Sequence, residues 1–183
     1  MYGLVNRAVE QLVVSLKGEP GWRGVCAHAG VSSDGFVATK SYDDKLTFDL
    51  VNAVSVRMGL PAETVLEAFG EYWITYTAAE GYESILSSSG SNLREFLDNL
   101  NKMHDRVRTI FTHLSIPQFR VEDISHDEYH LFYRSTRDGL APMVIGLLKG
   151  LGKRFNQKIE VSQTFAKTNV NDEDIFLVRH VAV

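Results

Sequence analysis

At 183 residues, with 44% hydrophobic and 23% charged side chains, the chain has the balance of one ordinary globular domain and is long enough to bury a substantial core. Its net charge of −4 comes without a basic block, which argues against nucleic acid as a partner, and no apolar run approaches the ~20 residues that span a bilayer, which argues against a membrane. A single cysteine, Cys26, excludes an intrachain disulfide and a cysteine-rich zinc site. It reads as a small buried apolar residue of a protein in the reducing cytoplasm. Met1 leads directly into a periodic helix, so no signal peptide is expected.

Residues 2–17 predict a helix, because Leu4, Val5, Ala8, Val9, Leu12, Val13 and Leu16 form a wide apolar stripe. Gly18-Glu19-Pro20-Gly21 is expected to break it, with a short second helix over 22–29 ended by Gly30. A polar connection over 32–41 leads to a helix that Asp43 or Asp44 caps and that runs to Met58 along Leu46, Leu50, Val51 and Val54. Beyond Gly59-Leu60-Pro61, the positions Val65, Leu66, Phe69, Trp73 and Tyr76 keep the helical period. The aromatic density around Tyr72 and Trp73 fits a packed core and equally the wall of a pocket for a planar ligand; periodicity does not decide between them.

Residues 87–91 make a polar loop, and Ser91 is expected to cap the helix over 93–111. The stripe of that helix runs Leu93, Leu97, Leu100, then Val107 and Phe111, and His104 stands where it calls for another leucine. A histidine on an apolar face is more often a core residue bonded to a backbone carbonyl than a ligand. Neutral imidazole is nevertheless the commonest protein ligand of a metal, and haem iron is often held by one proximal histidine.

Ile116-Pro117 ends the helical region, since a residue before proline avoids the α conformation. A first strand over 119–122 and a turn over 125–127 lead to a strand over 128–133. Side chains alternate along a strand, so Tyr133, Ser135 and Arg137 are expected on one side, offering a phenol, a hydroxyl and a guanidinium suited to carboxylates. Spacing alone favours an ordinary surface arginine at a strand end. Set beside His104, it gains a second meaning, because one ligand with a flat apolar ring and two carboxylates, a haem, accounts for both oddities.

A helix begins at Gly139-Leu140-Ala141-Pro142, with Met143, Val144, Leu147, Leu148, Leu151 and Phe155 on its apolar face. Strands over 158–165 and 175–181, joined by a polar loop over 167–174, complete an α+β order: a helical half, then a four-stranded antiparallel sheet with a covering helix. Residues 146–153 glance at a phosphate loop, but Arg154 follows Lys153 where Ser or Thr belongs, and no glycine stands five before Gly152. They read as a helix whose glycines allow close packing. His28, His113, His126, His130 and His180 show no metal-pair spacing, and the chain holds no Gly-x-Ser-x-Gly elbow.

Motif Tyr133-x-Ser135-x-Arg137, His104 in its Asn99-to-Asp105 setting, the opening Met1-Tyr2-Gly3-Leu4-Val5-Asn6 and the run from Gly90 to Leu97 together resemble the haem nitric oxide/oxygen binding (H-NOX) domain, also found at the N-terminus of soluble guanylate cyclase. The likeness covers essentially the whole chain, and its flavour is cyanobacterial. It implies one domain over 1–183, with a distal helical part over about 1–60, a proximal part with the sheet over 61–183, and haem b between them. By the same resemblance His104 ligates ferrous iron, Tyr133, Ser135 and Arg137 hold the propionates, and Pro117 presses on the porphyrin. Trp73 and Met143 stand in the distal pocket, and Leu147 and Val5 touch the cofactor. Oxygen-binding members carry a donor tyrosine where this chain has Met143, which implies nitric oxide and carbon monoxide as ligands and no stable binding of oxygen. Nitric oxide would weaken the bond to His104, shift its helix and signal to a histidine kinase, a cyclic-di-nucleotide enzyme or a fused cyclase. The domain would not itself be an enzyme. Two rival readings are an adaptor that binds an anionic apolar ligand without iron, and a haem enzyme, for which the resemblance offers no distal acid or base.

Overall fold

The computed structural model of the chain describes residues 1–111, 115–168 and 172–181; His113, the middle of the 167–174 connection and Val183 lie outside them. The helices α1 (Gly3–Ala29), α2 (Asp44–Met58) and α3 (Ala62–Thr77) come first. A π-turn over Ala78–Tyr82 and the short α4 (Glu83–Ser87) lead to α5 (Leu93–Arg108). Then follow β1 (Gln118–Asp123), β2 (Glu128–Arg134), α6 (Ala141–Arg154), β3 (Ile159–Phe165) and β4 (Glu173–His180).

Two local details differ from the sequence reading. The break expected over Gly18–Gly21 is there but is confined to one residue, Gly18 (φ 66°, ψ 178°), which divides α1 into two helical segments. A single glycine in the left-handed region turns the chain, and Pro20, which needs no N–H partner in a first turn, restarts the helix at once. The cap of α5 is Asn92 rather than Ser91: the Asn92 side chain accepts from Glu95 N at 2.9 Å, while Ser91 N donates back to the Glu95 carboxylate at 2.8 Å. Asp43, one of the two candidates, caps α2 by accepting from Lys45 N at 2.8 Å.

The sheet has the order β1-β2-β4-β3, with every neighbouring pair antiparallel. Its inner face carries Tyr129, Leu131 and Tyr133 from β2 and Phe176 and Val178 from β4. These pack with Phe96, Leu97 and Leu100 of α5 and Val144, Leu148 and Leu151 of α6. A second cluster, built from Val9, Val13, Trp22, Leu50, Val54 and Phe69, unites α1, α2 and the first half of α3.

Helices α3 and α6 meet at glycines. A Cβ on Gly146 would fall 1.9 Å from the Glu67 carbonyl oxygen, and one on Gly70 would fall 2.1 Å from that of Met143. The helices therefore touch main chain to main chain, and Lys149–Glu67 (2.5 Å) and Lys153–Glu71 ion pairs flank the seam. This is what Gly146 and Gly150 of the failed phosphate-loop segment are for, while Gly152 lets Gln157 and Ile159 come close. Forcing a side chain into such a contact costs about 1–3 kcal/mol or more, so Gly146→Val is expected to lower the melting midpoint by ~4–10 °C. A midpoint within a degree of wild type would mean that the helices separate freely.

Candidate functional site

A largely apolar cavity of about 240 Å³ opens where these two clusters meet. Val5 reaches it from α1, Trp73 from α3, His104 from α5, and Met143 and Leu147 from α6; Pro117 comes from the approach to β1, and Tyr133, Ser135 and Arg137 from β2 and the turn behind it. All the residues singled out in the sequence thus converge on one space, with Leu66, Phe69, Leu97, Leu100 and Phe119 filling the wall between them. Thr47 and Thr77 also line it, but their hydroxyls are spent on the Asn6 side chain (2.7 Å) and the Trp73 carbonyl (2.8 Å).

His104 is held by the fastening of its helix. One turn earlier, Asn101 clasps β1, donating to the Phe119 carbonyl at 2.7 Å and accepting from Phe119 N at 3.0 Å. The Phe119 ring then lies between the His104 ring (5.8 Å) and the Tyr133 ring (5.3 Å). Burial pushes the His104 pKa down to about 4; Asp105 and the Pro117 carbonyl pull it the other way without overcoming burial, and Arg108 adds slightly to the fall. At neutral pH the imidazole is therefore uncharged. Its Nδ1 is buried with no hydrogen-bond partner, while the Pro117 carbonyl accepts from the ring, so the neutral imidazole keeps one nitrogen free for a ligand. An unmatched buried nitrogen costs about 1–3 kcal/mol and calls for an explanation in function. Among the described residues no group of three or more His, Cys, Asp or Glu can hold a metal ion. A lone neutral imidazole in an apolar cavity suits a metal whose other positions are filled by a macrocycle, as in haem.

The carboxylate-binding end is built differently from the sequence expectation. Strand β2 stops at Arg134, so alternation places only Tyr133. Ser135 and Arg137 lie in the turn beyond, where Arg137 N donates to Ser135 Oγ at 3.1 Å, and it is this turn that brings both to the cavity. The Arg137 guanidinium grips a carboxylate already: Nε donates to Asp44 Oδ2 at 2.7 Å and Nη2 to Oδ1 at 3.3 Å, while Nη1 donates to the Ser115 carbonyl at 3.0 Å. Burial acts to raise the Asp44 pKa, but the bonds from Arg137 and from the Met1 amine outweigh it and hold the carboxyl below its ordinary range. Asp44 sits in the first turn of α2, so the fork joins the two halves of the molecule and shows the geometry in which it takes a carboxylate. Burial raises the Tyr133 pKa, with Ser135 opposing, which keeps the phenol a neutral donor. Sequence reading missed Asp44 as a partner because the pair spans 93 positions.

Residues 2–163 match the family model described as Haem-NO-binding. The Caenorhabditis elegans soluble guanylate cyclase gcy-32 is 31% identical over 157 residues, which cover 84% of this chain and 23% of that protein. The Rattus norvegicus guanylate cyclase soluble subunit beta-2 is 30% identical over 122 residues, 63% of this chain and 18% of that one. The chain thus spans about a quarter or less of the length of these relatives. Among solved structures, an H-NOX protein from S. oneidensis in the Fe(II)NO state superposes with a TM-score of 0.87 at 23% identity over 100% of both chains. An oxygen-binding H-NOX domain in its oxygen complex superposes with a TM-score of 0.81 at 18% identity, over 98% of this chain and 95% of that one. The matched segment runs from the start of α1 into β3 and takes in His104, the Tyr-x-Ser-x-Arg turn and every other cavity residue that the sequence had pointed to, so the chain belongs to the Haem-NO-binding, or H-NOX, family.

Proposed function

We propose that the chain is a gas sensor in which His104 ligates the ferrous iron of haem b and Tyr133, Ser135 and Arg137 hold the haem carboxylates. One observation carries the reading: a buried neutral imidazole with an unmatched nitrogen shares an apolar cavity with a guanidinium fork that takes carboxylates. When bound, haem iron supplies a coordination position for a diatomic gas. Residues up to about 60 would make the distal part and those to 183 the proximal part, with Pro117 placed to press on the ring and Val5 and Leu147 to pack against it. Trp73, edge-on to Phe69 (6.0 Å) and tilted against Tyr76 (6.1 Å), would fill the distal space with Met143. The Met143 thioether donates no hydrogen bond, so nitric oxide and carbon monoxide are the ligands and oxygen is not held. With haem bound, nitric oxide would weaken the hold of His104, and α5, which carries that residue, would become the element whose shift a partner reads. The guanylate cyclase relatives favour a cyclase as that partner; a separate histidine kinase or cyclic-di-nucleotide enzyme would read the same shift. The sole cysteine, buried and reduced, fits a cytoplasmic protein, and among the described residues no helix is long and apolar enough to cross a membrane.

Absorption spectroscopy of the purified chain tests this. An intense Soret band is expected, shifting with carbon monoxide and nitric oxide but not on exposure of the reduced protein to air, and Met143→Tyr is expected to gain an oxygen response. No Soret band would overturn the haem reading. A stable shift of wild type in air would overturn the ligand choice alone.

A further inference from the structure

We propose that Lys167, in the connection between β3 and β4, is a positioning residue that shapes the carboxylate-binding turn; the proposal rests on the haem reading above. Its Nζ donates to the Ser135 carbonyl at 3.0 Å and to the Arg137 carbonyl at 3.1 Å, and pairs with the Asp138 carboxylate at 2.5 Å. An ammonium has three N–H donors, and here each has an acceptor. These acceptors belong to the segment where β2 has ended and the sheet no longer satisfies the main chain. The lysine is fixed at its base as well. Lys167 N donates to Asp174 Oδ1 at 2.9 Å, and the same oxygen accepts from Gln163 Nε2 at 2.8 Å. Asp174 is buried and stands opposite Tyr133 in the β2–β4 register.

Lys167 does not itself line the cavity. It acts through the two residues whose carbonyls it holds. Pinning those carbonyls limits the backbone of residues 135–137, which sets where the Ser135 hydroxyl and the Arg137 guanidinium point. Sequence reading passed over Lys167 as the first residue of a polar loop, because nothing local marks a bond to a turn some thirty residues earlier.

Separate loading with haem and with its dimethyl ester, which lacks ionised carboxylates, tests the proposal, with loss to a haem-scavenging globin as the readout. Lys167→Met is expected to lose haem roughly tenfold faster than wild type, to lose the ester at the wild-type rate, and to be largely rescued by Lys167→Arg. In the haem-free chain, Lys167→Met is expected to speed amide exchange at Arg137, whose N–H donates to Ser135 Oγ. Equal acceleration for haem and ester would reduce Lys167 to general support of the fold and overturn the proposal, as would unchanged haem loss. If wild type takes up neither form, the haem reading falls and this one with it; if wild type holds haem and Lys167→Met holds it equally well, only the role of Lys167 falls.

Discussion

His104→Gly is expected to leave the purified chain without a Soret band and to recover one when imidazole is added. Among the described residues that line the cavity there is no second histidine and no cysteine to take its place. Truncation leaves a ring-sized hole beside Pro117, Phe119 and Met103 that free imidazole can enter. A complete, unaltered spectrum in the variant would remove His104 from the iron. The same substitution has an acid signature in the haem-free chain. Burial lowers the folded-state pKa from 6.5 to about 4, so the unfolded chain binds this proton more tightly than the folded one. The resulting penalty is absent well above pH 6.5, grows as pH falls towards 4, and is complete below it, at about 3 kcal/mol. Wild type is expected to lose stability across that window and His104→Gly to lose correspondingly less. Equal slopes in denaturant titrations would show that the ring titrates as if exposed.

Arg137→Ala carries the second-largest effect. Each charge-assisted bond contributes about 1.5–3 kcal/mol, so haem loss is expected to accelerate by roughly 10- to 100-fold, with Ser135→Ala well behind. The variant also takes the fork from Asp44, leaving that carboxylate to the Met1 amine. Arg137→Lys separates the two consequences: it keeps the charge but not the planar fork, and is expected to fall between alanine and wild type. If Arg137→Ala holds haem as tightly as wild type while melting earlier, the fork serves the Asp44 clasp and nothing else.

What the sequence revealed, and what it hid, follows the range of the forces involved. The apolar stripes of α2, α3, α5 and α6 repeat within a few turns, so those helices were legible, as was His104 as the position where a stripe changes chemistry. The alternation of β2 was legible up to Arg134, but strand geometry could not account for Ser135 and Arg137, whose placement comes from a turn. The break in α1 was legible at Gly18 to Gly21, but not that a single residue makes it, because glycine and proline together mark the whole stretch. The cap of α5 was misplaced by one residue because Ser91 and Asn92 both carry suitable side chains. Asp44 and Lys167 were invisible as parts of the site: their bonds reach across the fold, and no spacing in the chain encodes them.

The seam of Gly70 and Gly146 bears on how this pocket can change. Trp73 stands three residues after one of these glycines and Met143 three before the other. The two side chains therefore ride on a single slab whose thickness is set by main-chain contact and not by the side chains themselves. Such a slab works as a fixed jaw. Exchanging residue 73 or 143 alters what projects into the space and leaves the spacing of the helices alone, so on the proposed function gas preference could change without repacking the interior. On the proposed function the jaw that would yield is α5, which is clasped to β1 by Asn101 and by the Arg94–Asp123 pair. On that reading, what the sensor recognises is set apart from how it reports, and each could vary without disturbing the other.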